Sequence, residues 1–68
     1  MSDSIYKTVD VVGSSASSIE DAVSGAIAKA SKTIDHISWF EVGEIRGHVE
    51  NAKVAHYQVA LKIGFRLD

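Results

Sequence analysis

The chain has 68 residues, no cysteine and a formal net charge of −2, which bound it to a single domain, residues 1–68, with a marginal core and neither disulfides nor thiolate metal sites. A core this small is usually stabilised by association, so a homo-oligomer is expected. A net charge of −2 provides no basic surface for binding nucleic acid. No segment is apolar and long enough to span a membrane, and residues 1–7 lack the apolar stretch of a signal peptide. The sequence therefore predicts a soluble cytoplasmic protein.

The first predicted element is a strand. The stretch "SIYKTVDVVG", residues 4–13, is rich in β-branched residues and ends at a glycine, as is typical of strands. Its alternation is imperfect. One face carries Ile5, Val9 and Val11, and the other carries Tyr6, Thr8 and Val12.

A helix is predicted to follow, up to about Asp35. Ser17 with Glu20 three residues later fits a capping box, and Ser18 with Asp21 fits the same box one residue further on. Apolar residues recur at three- and four-residue steps on one face of this helix: Ile19, Ala22, Val23, Ala26, Ile27, Ala30 and Ile34. Because three alanines in this stripe allow a close approach to a sheet, we interpret the stripe as core.

Two long strands, residues 36–50 and 53–67, complete the chain and are joined by the hairpin connection "ENAK". The last strand alternates regularly and suits the centre of a sheet; its apolar face carries Tyr57, Val59, Leu61, Ile63, Phe65 and Leu67. The strand before it directs Phe40 and Val42 to the core, but an unbroken register would then bury Glu44 and Arg46. We therefore predict a β-bulge near Gly43, which turns Ile45 and Val49 inward and Arg46 and His48 outward.

The two strands are too long for one helix to cover. Fifteen strand residues span about 50 Å, whereas an eighteen-residue helix spans about 27 Å. The opposite face of the sheet, which carries Trp39 and Ala60, also needs a partner. The simplest partner is another copy of the chain, so we expect a closed homo-oligomer.

The outward face carries groups that suit a planar, phosphorylated heteroaromatic ligand. Trp39 supplies a stacking surface, and Gly64 is expected opposite it, leaving open room beside the indole. Gln58 can donate and accept hydrogen bonds at a ring edge. Arg46 and Arg66 can bind a phosphate through paired hydrogen bonds.

Each of these residues also has a simpler interpretation. An outward tryptophan is more often an interface anchor than a ligand platform, which is an alternative role for Trp39. Gln58 alone is typical of a solvated strand position. Arg46 and Arg66 can pair with Glu41, Glu44 or Glu50 across chains. Only the combination of these residues favours a ligand site.

Metal and enzyme chemistry have little support in the sequence. His48 and His56 flank the hairpin turn, and with Glu50 they could bind a divalent ion. No spacing fixes a third ligand, so solvated histidines are favoured and no metal site is predicted. His36 lies at the helix-to-strand junction and is interpreted as structural. Neither a nucleophile with a paired base nor a glycine-rich phosphate loop is present, so we predict no catalytic residues and no enzyme activity.

The chain resembles the dodecin family of small flavin-binding proteins along essentially its whole length. The resemblance lies in the β-α-β-β order and in the segments "YKTVDVVG", "SSIEDAV", "WFEVGEIRG" and "YQVALKIGFRL". It implies an α+β fold, in which a three-stranded antiparallel sheet wraps around one helix, and a closed homo-oligomer of twelve chains. No nucleic-acid or membrane partner is implied.

The resemblance also implies a ligand and a role. Stacked pairs of flavin rings would lie between tryptophans of neighbouring subunits, where Trp39 matches the tryptophan, Gln58 the ring-edge glutamine, and Arg46 and Arg66 the arginines near the phosphate of FMN. Riboflavin and FAD are alternative flavins, and some bacterial members also bind coenzyme A. The implied function is storage and buffering of flavin with quenching of its photochemistry. The alternative is a purely structural shell in which Trp39 is an interface anchor and coenzyme A is the ligand.

Overall fold

The computed structural model describes residues 3–67, which form four elements in the order β-α-β-β. These are strand β1 (Ile5–Ser15), helix α1 (Ile19–Ala30), strand β2 (Ile37–Glu50) and strand β3 (Lys53–Leu67). The three strands build one antiparallel sheet in the order β1-β3-β2, and α1 packs on one face of it. The predicted α+β class and the central position of the last strand are confirmed. No helix among the described residues is long and apolar enough to cross a membrane.

The core lies between α1 and the central strand. Val59, Leu61 and Ile63 of β3 are buried against Ala22 of α1, so the alternation of β3 selects its helix-facing side as predicted. Gly13 of β1 allows this close packing, because a Cβ atom there would overlap the backbone carbonyl of Ala22. The face of the sheet turned away from α1 is called the outer face below.

The helix begins where one of the two predicted caps places it and ends earlier than predicted. Ser18 is the N-cap, and its hydroxyl accepts a hydrogen bond of 2.9 Å from the backbone N–H of Asp21. The prediction that the helix reaches Asp35 is wrong, since α1 ends at Ala30. The Ser31 hydroxyl donates to a carbonyl of the last turn, and the N–H of the next residue bonds three residues back rather than four. These local bonds tighten and end the helix.

The predicted bulge at Gly43 is present. Val42 pairs with Leu61 and Ile45 pairs with Val59, so Gly43 and Glu44 together stand opposite a single residue of β3. The extra residue turns Ile45 to the helix side of the sheet and leaves Arg46 on the outer face. The pairing of β2 with β3 shifts again nearer the hairpin turn, between His48 and Val49.

A second bulge, which the sequence pattern does not predict, lies at Ser38. Ile37 pairs with Phe65 and Trp39 pairs with Gly64, so one extra residue of β2 stands between consecutive residues of β3. The Ser38 hydroxyl donates a hydrogen bond of 3.2 Å to the carbonyl of His36. This bulge allows Ile37 to pack against the core while Trp39, two residues later, lies on the outer face.

The β2–β3 hairpin closes with a two-residue turn in the predicted "ENAK" segment. Asn51 and Ala52 have φ values of 53° and 61°, both in the left-handed region, as a type I′ turn requires. Asparagine tolerates this conformation, whereas alanine normally avoids it. The long hairpin gives the molecule a greatest dimension of 56 Å.

Helix α1 packs on β1 and β3 and leaves most of the helix side of β2, beyond Ile37, uncovered. Phe40, Val42 and Ile45 belong to this side, and their exposed fractions are 47%, 42% and 51%. The expectation that one helix is too short for the hairpin is therefore confirmed. A row of half-exposed apolar side chains on one strand is typical of a surface that another chain covers.

Candidate functional site

Trp39 lies on the outer face directly above Gly64. The two residues are cross-strand partners, and a Cβ atom at position 64 would overlap the six-membered ring of the indole. The expected open room beside the indole is therefore filled by the indole itself, because the absence of a side chain at Gly64 lets the ring lie flat on the sheet. The other surface of the ring faces solvent, and 38% of Trp39 is exposed.

Tyr6 of β1 supports the indole from its edge. The two ring centroids are 5.3 Å apart and the ring planes meet at 71°, a T-shaped contact. Alternation alone places Tyr6 on one face of β1 and gives no connection with Trp39. The connecting signal is the register of β1 on β3, in which Tyr6 pairs with Arg66, two residues from Gly64.

Arg66 forms hydrogen bonds with the segment that precedes β2. Its backbone N–H donates to the carbonyl of His36 at 3.1 Å, and its guanidinium lies 3.3 Å from Nδ1 of the same histidine. His36 itself has a φ of 63°. The structural role predicted for His36 fits these contacts, since the turn it forms sets where β2 begins.

Arg46 and Gln58 form a second polar group further along the outer face. They are cross-strand partners, and Nε of Arg46 donates a hydrogen bond of 3.0 Å to Oε1 of Gln58. The guanidinium also forms an ion pair with Glu44. The pairing of an arginine with Glu44, which was expected across chains, is therefore found within one chain.

The four predicted ligand residues thus fall into two groups. Trp39 and Arg66 lie near one end of the outer face, and Arg46 and Gln58 lie towards the hairpin turn. Gln58 and Gly64 are six residues apart on β3, a separation of roughly 20 Å in an extended strand. Between the groups lies a shallow depression of about 400 Å³, lined by residues 10–12, 41–43 and 60–62.

The histidine pair lies beyond Arg46 and Gln58. His48 and His56 are cross-strand partners, with ring centroids 5.6 Å apart and ring planes inclined by 21°. Nε2 of His48 lies 3.3 Å from a carboxylate oxygen of Glu50. Residues 3–67 contain no group of three or more histidine, cysteine, aspartate or glutamate side chains arranged to hold a metal ion.

Comparison with known proteins identifies the family. The dodecin family model matches residues 5–68, so the chain belongs to the dodecin family, whose members are known as non-enzymatic proteins that bind small ligands such as flavins.

A dodecin from Thermus thermophilus is 50% identical over 64 residues, which cover 94% of this chain and 93% of that protein. The solved structure of a dodecin from Streptomyces coelicolor matches with a TM-score of 0.94 and 46% identity, covering 100% of this chain and 97% of that one. The structure of the calcium dodecin from Mycobacterium tuberculosis, described as a calcium-chelating antigen, matches with a TM-score of 0.81 and 30% identity, covering 94% of this chain and 91% of that one.

Proposed function

We propose that this dodecin binds FMN in the cytoplasm, stores and buffers it, and quenches its photochemistry without catalysing a reaction. The observation that carries this proposal is the half-exposed indole of Trp39, which lies flat on Gly64 and is supported at its edge by Tyr6. A rigid, outward aromatic surface suits stacking with a flat ring. The electron-rich indole can also donate an electron to the excited flavin, which accounts for quenching.

The proposed site is completed by a second copy of the chain. A separation of roughly 20 Å between Gln58 and Gly64 exceeds the length of a three-ring ligand, so one flavin cannot contact Trp39 and Gln58 of the same chain. Residues 58 and 64 lie at equal distances along β3 from Leu61, beside the depression on the outer face. A two-fold axis at this depression would bring Trp39 of one copy beside Gln58 of the other.

In this arrangement the polar residues divide between the two ends of the ligand. Gln58, with Arg46 beside it, would meet the pyrimidine-like edge of the ring. Arg66 lies at the Trp39 end of its own chain and provides a cation for the phosphate of FMN. Riboflavin lacks the phosphate and FAD extends it, so these flavins remain alternatives to FMN.

A second candidate function is a structural shell in which Trp39 only seals a contact between copies and coenzyme A is the small ligand. The half-exposed row of Phe40, Val42 and Ile45 on β2 favours extensive association. The family resemblance implies twelve chains, and both candidate functions include this assembly. They differ in what the outward face of Trp39 contacts.

Native mass spectrometry of the protein as purified, followed by FMN titration, separates the two functions. For the flavin function we expect a complex of twelve chains that carries FMN, and loss of FMN fluorescence on binding. Trp39→Ala should keep the assembly and lose most of the quenching. An assembly that dissociates on this substitution, with no flavin bound by the unsubstituted protein, would support the shell instead.

A further inference from the structure

Gln58 has a fixed orientation in this structure, and Arg46 sets it. An arginine side chain carries only hydrogen-bond donors, so the Gln58 atom that faces Nε of Arg46 at 3.0 Å must be the amide oxygen. The amide nitrogen of Gln58 therefore points away from Arg46. With the oxygen engaged, Gln58 presents chiefly a donor to any ligand on the outer face.

The bulge at Gly43 is what brings Arg46 to this position. Gly43 and Glu44 share the position opposite Ala60, and Arg46 then pairs with Gln58. Glu44 and Arg46 are therefore close neighbours on β2. Their side chains form an ion pair. The guanidinium is thus held from one side by Glu44, and its Nε–H group is directed at Gln58.

The same contacts make Arg46 a poor phosphate ligand. Its charge is opposed by the carboxylate of Glu44, and at least two of its donor groups already have partners within the chain. A phosphate would have to compete with Glu44 for the guanidinium. The arrangement suits holding a neighbouring amide better than binding an anion.

We infer that Arg46 is a positioning residue that acts through Gln58. It fixes the amide so that the nitrogen donates to a carbonyl oxygen at the edge of a flat ring, and the phosphate is bound elsewhere. This inference rests on the proposed flavin-binding function and revises the role expected for Arg46. It predicts that the contribution of Arg46 is independent of the phosphate.

The test compares two ligands, FMN and lumiflavin, where lumiflavin has the same ring system and neither ribityl chain nor phosphate. Arg46→Met should raise the Kd for both ligands by a similar factor of about five, the effect of losing one oriented hydrogen bond. In a Gln58→Leu background, Arg46→Met should have no further effect on either Kd. Arg46 and Glu44 are more than half exposed, so these variants should fold, and circular dichroism with native mass spectrometry checks that they do.

Glu44→Gln is a second test, because the two possible roles of Arg46 predict opposite changes in FMN affinity for this variant. It removes the anchor of Arg46 but keeps the positive charge, so the inference predicts weaker binding of both flavins by about two- to threefold. A phosphate-binding Arg46 would instead bind FMN more tightly, because its charge would no longer be opposed.

The inference is overturned if Arg46→Met weakens FMN binding alone, or if its effect persists in the Gln58→Leu background. A different result marks failure of the proposed function. If the unsubstituted protein binds neither FMN nor lumiflavin, both proposals are wrong.

Discussion

Substituting Gly64 with alanine tests whether the position of the indole controls flavin binding. The added Cβ atom would overlap three carbon atoms of the Trp39 ring. Carbon atoms in contact normally stay about 3.5–4.0 Å apart, so the ring must move outward by about 1 Å or tilt. The backbone of β3 is not in the way of this movement, and the ring is partly exposed, so we expect the ring to shift while the sheet stays intact.

The expected loss of affinity for FMN comes from a weaker stacking contact between the displaced indole and the flavin ring. An aromatic pair contributes about 0.5–1.5 kcal/mol beyond the area that it buries. Losing the larger part of this, together with the edge support from Tyr6, corresponds to a Kd for FMN about tenfold higher. Quenching should fall in parallel, because it requires contact between the flavin and the indole.

The assay is FMN titration by fluorescence, with tryptophan emission as a direct reporter of ring position. Trp39 is the only tryptophan of the chain, so its emission reports on this site alone. Gly25→Ala is the matched control, since it adds the same methyl group on α1 with nothing within 4 Å. Unchanged affinity and quenching in a folded Gly64→Ala variant with shifted tryptophan emission would show that the position of the indole does not control flavin binding.

Two further predictions concern the fold and are checked by thermal unfolding at matched protein concentrations. Gly13→Ala should destabilise the protein by about 1–3 kcal/mol, because the new Cβ would overlap the Ala22 carbonyl and push α1 from the sheet; an unchanged midpoint would contradict the packing described. Ala52→Gly should stabilise it by about 0.5–1 kcal/mol, because relief of the left-handed conformation at φ 61° outweighs the added flexibility of glycine in the unfolded chain; a lower midpoint would show that the turn is not strained.

The two bulges of β2 show why one irregularity could be predicted from the sequence and the other could not. Without the bulge at Gly43 the strand would bury Glu44 and Arg46, and the large cost of burying charges makes the break visible in the sequence. Without the bulge at Ser38 the only loss would be the burial of Ile37, which is worth about 1.5–3 kcal/mol. A single exposed isoleucine is too common to reveal a break in register.

The candidate site divides in the same way. Trp39, Gln58 and Arg66 could be assigned to the outer face from alternation alone, because that face follows from the burial of their apolar neighbours. The contacts of the indole with Gly64 and Tyr6 depend on the β2–β3 and β1–β3 registers. Alternation does not determine these registers. The end of α1 at Ala30 depends on hydroxyl groups that compete for helix carbonyls, an effect that the apolar stripe does not record.

The bulges also determine where β2 can gain or lose a residue during evolution. Side chains of a strand alternate between its two faces, so deleting one residue ordinarily moves every later side chain to the opposite face of the sheet. Gly43 and Ser38 are exceptions, because each is already an extra residue opposite an unbroken stretch of β3. A relative whose strand is one residue shorter is therefore expected to lack one of these two residues and to keep Trp39 and Arg46 on the same face.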